Sequence, residues 1–253
     1  MVYIYMQKFL MSLLLILIPF IAAAEQFEHP MLDLDVPSGI EQGQMYFEAG
    51  SKFYTSLYNY PKDDFFALLN YGANTRISAR YMAINELEVM TSYIEEHREK
   101  MAGLAYTIKE DKIWFDAKIE AEYINYQDFS AQTARQNFFG LLSLQSTPFF
   151  DDRFVITFDG AYDGFGGRFG MGAGISWLVT RHLSLLGEYY PVIMKYQSNS
   201  EGSYGFGIKF DTYGHQFMLR LSNSSEIGAR DMMLGAPDNN IYAGFDIMRL
   251  VAF

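Results

Sequence analysis

"KIWFDAKIEAEYINY", Lys112 to Tyr126, sorts most of its side chains by alternation. Ile113, Phe115, Ala117, Ile119, Ala121 and Tyr123 occupy one set of positions, and Asp116, Lys118, Glu120 and Glu122 the other. A period of two is that of a β-strand with one apolar and one charged face. A helix, with its period near 3.6, would mix the two classes. The same pattern runs through "SYGFGIKF", where Tyr204, Phe206, Ile208 and Phe210 oppose Gly205, Gly207 and Lys209, and through "NTRISARYM", where Arg76, Ser78 and Arg80 oppose Ile77, Ala79 and Tyr81.

Working outward, about twelve such segments follow one another: roughly 44–54, 74–82, 86–94, 100–108, 112–125, 136–146, 153–162, 168–179, 182–194, 202–210, 214–222 and 241–253. An even number of strands of about ten residues is the pattern of a closed antiparallel outer-membrane barrel. The links give an independent test, because such barrels have short periplasmic turns and longer external loops. With the C-terminus in the periplasm, the links alternate backwards from long "NSSEIGARDMMLGAPDNN" to short "DTYG", longer "MKYQSNSEGS" and short "VTRH". The expected fold is therefore all-β: a transmembrane antiparallel β-barrel of about 12 strands over residues 44–253. The longest external link, about 55–73, contains "DDFFALLNY", which reads as a helical turn.

The first 24 residues predict a cleaved signal peptide. Lys8 precedes an apolar run from Phe9 to about Ala22, and Ala22-Ala23-Ala24 supply the small residues of a cleavage site, with the cut after Ala24. A single spanning helix is the competing reading, but it needs roughly 18 or more apolar residues. Residues 25–43, with two prolines and several acids, read equally as a periplasmic arm or as a lumen plug.

Composition excludes whole classes of function. Thirty acids against 19 bases give a net charge of −11, and Lys and Arg form no cluster that would meet a nucleic-acid backbone. The absence of Cys removes disulfides, thiolate nucleophiles and Cys-ligated zinc together.

The stretches "GANTRISARYMAINELEV" (72–89), "LVTRHLSLLGEYYPV" (178–192), "GHQFMLRLSNS" (214–224) and the closing "GFDIMRLVAF" (244–253) resemble an uncharacterised family of bacterial outer-membrane β-barrel proteins, a domain of unknown function common in Bacteroidota. The resemblance covers most of the chain from about Gly72 onward. It implies a barrel in the outer membrane with channel or transport activity inferred, and it carries no catalytic residues to transfer. The terminal strand, ending in Phe253, resembles the assembly signal of such barrels. Arg249 breaks the apolar face of that strand, close enough to the end to snorkel to the interface for roughly 0–1 kcal/mol.

If the apolar face meets lipid, parity turns Glu48, Arg76, Arg80, Glu88, Asp116, Lys118, Glu120, Glu122, Asp159, Glu188, Lys209, Arg220 and Asp246 toward the lumen. Mixed charges there either line a water-filled passage or pair across a narrow barrel and close it. A barrel of this size lies between small filled barrels and open porins, so strand number leaves both possibilities standing.

Enzymatic chemistry has one lead: His182 and Ser184, two apart in "HLS", share a face on a strand, as a Ser nucleophile and its base require. Parity turns both toward the lumen at a periplasmic turn, away from outer-leaflet lipid, which argues against a lipid-modifying enzyme. His29, His97, His182 and His215 show no ligand spacing, and neither a metal nor a cofactor is expected. The glycine-rich "GFGGRFGMGAGISW" (164–177) lacks the third glycine of a dinucleotide fingerprint. Instead Gly170, Gly172 and Gly174 fall on the lumen side of one strand, a bare strip where a plug or a solute can approach the backbone.

The sequence thus predicts a non-enzymatic, monomeric barrel acting as a porin-like channel for small hydrophilic solutes. Outer-membrane lipid, lipopolysaccharide and the barrel assembly machinery are its expected partners. The alternative is a non-conducting barrel whose external loops bind a ligand or an envelope partner.

Overall fold

The computed structural model describes residues 30–58, 71–109, 114–128, 133–164, 167–194, 201–212 and 214–253. The signal segment with Ala22 and Ala24, and the helical turn expected at 63–70, lie outside the described residues.

Twelve strands are present: β1 (Gln44–Phe53), β2 (Ala73–Ile84), β3 (Leu87–Ile94), β4 (Glu99–Ile108), β5 (Phe115–Asp128), β6 (Thr133–Ser146), β7 (Phe154–Asp163), β8 (Arg168–Thr180), β9 (Leu183–Tyr190), β10 (Ser203–Thr212), β11 (His215–Ser222) and β12 (Tyr242–Ala252). Each pairs antiparallel with its neighbours in sequence, and β1 pairs with β12 from Gln44↔Ala252 to Lys52↔Gly244, which closes the barrel. Closure leaves no edge strand to be satisfied, the condition for a sheet in hydrocarbon. One short helix, α1 (Ala229–Met233), lies in the link between β11 and β12.

Strand ends follow local chemistry. β9 stops at Tyr190 and not near 194, because Pro191 has no N–H to continue the ladder. The β2–β3 link is only Asn85 and Glu86, and Glu86 takes the positive φ (73°) that a tight hairpin needs. β5 and β6 form the longest hairpin, paired from Phe115↔Ser146 to Asp128↔Thr133.

The two faces differ sharply. Ile77, Leu104, Ile119, Phe206 and Leu219 on the outer face are each more than half exposed. An apolar surface running right round the molecule could not face water, and a lipid bilayer is the medium it fits. Arg249, half-buried on β12, sits opposite Phe47 and His215 near the strand's end.

The hydrophobic core lies inside the barrel. Ile124, Met218 and Met248 from the wall pack there with Met31, Leu32, Leu34, Val36 and Ile40 from the segment preceding β1, and with Met232 and Met233 from α1. Two segments from opposite ends of the barrel therefore share its interior with the wall.

Candidate functional site in the barrel lumen

The wall charges come first, since their strands fix them. Glu48, Glu88, Lys118, Glu120, Glu122, Asp159, Glu188, Lys209, Arg220 and Asp246 are buried, while Arg76, Arg80 and Asp116 are half-buried. Neighbouring strands bring several together: Arg76 with Glu48, Arg80 with Glu88 at 3.0 Å, and Arg220 with Asp246; within β5, Lys118 pairs with Glu120 at 2.8 Å. Lys209 pairs along its own strand with Asp211 at 3.1 Å. Asp116 stands apart from this network at the start of β5.

Lys52, Glu99 and Asp163 belong to the same wall and escape the sequence reading. Lys52 shares the parity of Glu48, so alternation alone was enough to place it. Glu99 and Asp163 are the terminal residues of β4 and β7, each one position beyond the expected strand.

The segment before β1 supplies what parity does not reach. Gly43 (φ 82°) donates its N–H to Met82 O at 3.0 Å, and the residues before it lie inside the barrel. Ser38 N–H donates to Thr107 Oγ1 on β4 at 3.2 Å. Asp35 accepts from Lys118 Nζ on β5 (2.6 Å), its N–H donates to Asp159 on β7 (2.7 Å), and its carbonyl accepts from Ser143 on β6 (2.9 Å). Asp33 accepts from Lys52 on β1 (2.8 Å) and Arg220 on β11 (2.9 Å). Glu188 on β9 accepts the backbone N–H groups of Leu32, Asp33 and Leu34 at 2.5, 3.0 and 3.1 Å. Partners on strands this far round the barrel can be met only from within it.

Between its aspartates the arm is apolar, and the wall makes room for it with glycine. A Cβ on Gly172 would come within 2.6 Å of Leu34 and 2.7 Å of Tyr190, and one on Gly174 would collide with Met31. On β10, Gly205 and Gly207 stand under Leu32. These small residues are needed for close approach, not for backbone freedom. Replacing Gly172 by Val is expected to destabilise the docked arm by about 1–3 kcal/mol through overpacking. Limited proteolysis within residues 30–40 reads this out: faster cutting in the variant is the expected result, and an unchanged rate would contradict the contact.

From the end opposite the arm, α1 fills the remaining width. Met232 is fully buried, and Met233 packs on Gly170, where a Cβ would approach to 2.6 Å. Arg230 pairs with Glu99 (2.6 Å), Asp163 (3.4 Å) and Asp231 (3.0 Å), and its guanidinium lies 5.6 Å from the Tyr126 ring centre. Among arm, helix and wall remains a cavity of about 120 Å³ bordered by Met31, Arg76, Arg80, Glu120, Glu122 and Arg230. At about 30 Å³ each, that is space for a few waters.

At the rim on the α1 side, the β3–β4 turn meets the link carrying α1. His97 Nε2 lies 3.9 Å from Glu226 Oε1, with Glu96 alongside. Burial and the Glu226 carboxylate push Glu96 up to about 7. The hydrogen bond to Glu226 lifts His97 to about 9, against its burial. Both values exceed the ordinary ones of 4.5 and 6.5, so each group favours the packed rim fully below its ordinary value. That contribution fades as pH rises to about 7 for Glu96 and about 9 for His97. Imidazole NMR of His97 should give a midpoint near 9, and one near 6.5 would refute the contact.

The hydrolase lead does not survive the geometry. Ser184 is fully buried on β9, but His182 lies in the preceding turn and is exposed, not facing the lumen as parity predicted. The strand begins at Leu183, so the alternation does not extend to His182.

Residues 133–251, from β6 to β12, match the family model described as "Membrane bound beta barrel domain (DUF5777)". The protein is an outer-membrane β-barrel. The match agrees with the resemblance read from the sequence, a barrel family of unknown function. No curated protein matches the chain. Among solved structures, the KdgM porin superposes with a TM-score of 0.50 at 7% identity, covering 83% of this chain and 99% of that one. The NanC porin gives 0.48 at 8% identity over 83% and 99%, and Omp33 of Acinetobacter baumannii 0.46 at 11% over 84% and 100%. At such identities the likeness is one of fold.

Proposed function

We propose that this barrel is a porin-like channel for small hydrophilic solutes, held shut by residues 30–40 and by α1. The observation that carries the reading is how the lumen is closed. Among the described residues, the arm and α1 fill the gap left by wall glycines at 170, 172, 174, 205 and 207, where larger wall side chains would have sealed it permanently. Charged wall residues suit either state, since they pair with the arm when it is docked and meet water when it leaves. The barrel works as a non-enzymatic monomer, exported by a signal peptide cleaved after Ala24. It is inserted by the assembly machinery through its terminal strand and Phe253, and sits among lipid and lipopolysaccharide.

Planar-bilayer conductance tests this reading, comparing the whole mature chain with a variant lacking residues 30–40. Discrete current steps in the variant support it. A folded, heat-modifiable barrel that stays silent in both forms favours the second reading, a non-conducting barrel whose external loops bind a ligand or an envelope partner. Occupation of the lumen from both ends is the observation on that side.

A further inference from the structure

We propose that Glu96, His97 and Glu226 form a binding site for a zinc-type divalent cation that ties the β3–β4 turn to the link carrying α1. One imidazole nitrogen and two carboxylate oxygens, from segments about 130 residues apart, lie within 4.8 Å of one another. Ligand atoms around tetrahedral zinc stand about 3.4 Å apart when its bonds are near 2.1 Å. Small side-chain rotations therefore close the site.

The surroundings hold the ligands in place. Asn74, fully buried, donates to Glu96 Oε2 at 2.8 Å and to the Ser225 carbonyl at 3.3 Å, so one side chain fixes both halves. Lys52 Nζ donates to the Glu226 carbonyl, and Glu226 N–H donates to Ser224 Oγ at 3.2 Å. These bonds engage one Glu96 oxygen and the Glu226 backbone, while Glu226 Oε2 is buried without a hydrogen-bond partner. Support of this kind orients metal ligands.

A nitrogen with two carboxylate oxygens suits zinc or a neighbouring first-row ion better than magnesium or calcium, which prefer all-oxygen shells. The ion replaces the proton between His97 and Glu226, and that proton is released to solvent. Because Glu226 lies three residues before α1, cation binding would fasten the outer half of the closure.

Zinc titration of the whole purified barrel in detergent, followed by calorimetry, tests the site. One zinc per barrel is expected, with affinity falling at least tenfold in His97→Ala and in Glu226→Gln and unaffected by excess magnesium. Zinc should also slow proteolysis between residues 223 and 240 in the native chain and leave His97→Ala unchanged. Heat-modifiable mobility establishes that each variant is folded. Equal affinity in the native chain and His97→Ala, or no binding at millimolar zinc, overturns the proposal. The readout is independent of conductance, so a silent barrel that binds zinc refutes the channel and leaves the site intact.

Discussion

Deleting residues 30–40 is expected to convert a closed barrel into one that conducts cations in preference to anions. β1 begins at Gln44, so the deletion leaves its pairing with β2 and β12 complete. What it removes is Met31, Leu32, Leu34 and Val36 from the interior and Asp33 and Asp35 from their cationic partners. The deletion also removes the Asp33 carboxylate that accepts the Gly228 N–H at 2.8 Å, so the link carrying α1 loses its hold together with the arm; water then reaches the glycine strips on β8 and β10, and the wall charges become hydrated. Among described wall residues the acids Glu48, Glu88, Glu99, Glu120, Glu122, Asp159, Glu188 and Asp246 outnumber the bases Lys52, Arg76, Arg80, Lys118, Lys209 and Arg220. An excess of fixed negative charge along a narrow passage draws in cations. Reversal potentials in a salt gradient read the selectivity. Anion preference in a conducting deletion variant would contradict the charge assignment while leaving the plug in place.

Asp33→Ala should open the intact barrel by a related route. Asp33 is buried between Lys52 and Arg220 and also accepts the N–H of Gly228 at 2.8 Å, so it joins arm, wall and the α1 link at one point. Removing one member of a buried ionic group costs about 3–5 kcal/mol, because its partners stay buried and uncompensated. Here the partners have an escape, since undocking the arm exposes them to water. At 1.4 kcal/mol per factor of ten, opening should rise roughly 10²- to 4 × 10³-fold. Asp35→Ala should act more weakly, because Lys118 keeps Glu120 at 2.8 Å and Glu88 at 3.9 Å. Single-channel open probability ranks the two. Equal and small effects, beside a conducting deletion variant, would mean that apolar packing and not Asp33 holds the arm.

The same contrast marks how far the sequence could be read. Alternation in stretches such as 112–126 fixed strands and faces, because a barrel strand meets lipid on one side and lumen on the other, and every second residue must follow. Turn chemistry was less legible: Pro191 ended β9 early, and His182 fell into a turn and off the face that its parity suggested. The strip at Gly170, Gly172 and Gly174 was visible as a bare wall, but not its occupants. "MLDLDV" carries alternating apolar and acidic residues, which suit a periplasmic arm as well as a docked one.

Sequence by itself determined the strands, their count, the outward apolar band and the inward charges, all consequences of a local period of two imposed by lipid. Only the tertiary structure decided that the lumen is filled, and by what. Asp33 meets Arg220 across 187 residues, and Leu32 meets Glu188 across 156. No local period encodes such contacts: they arise when closure brings distant strands round one interior, and the segment whose charges and volume complement that interior occupies it.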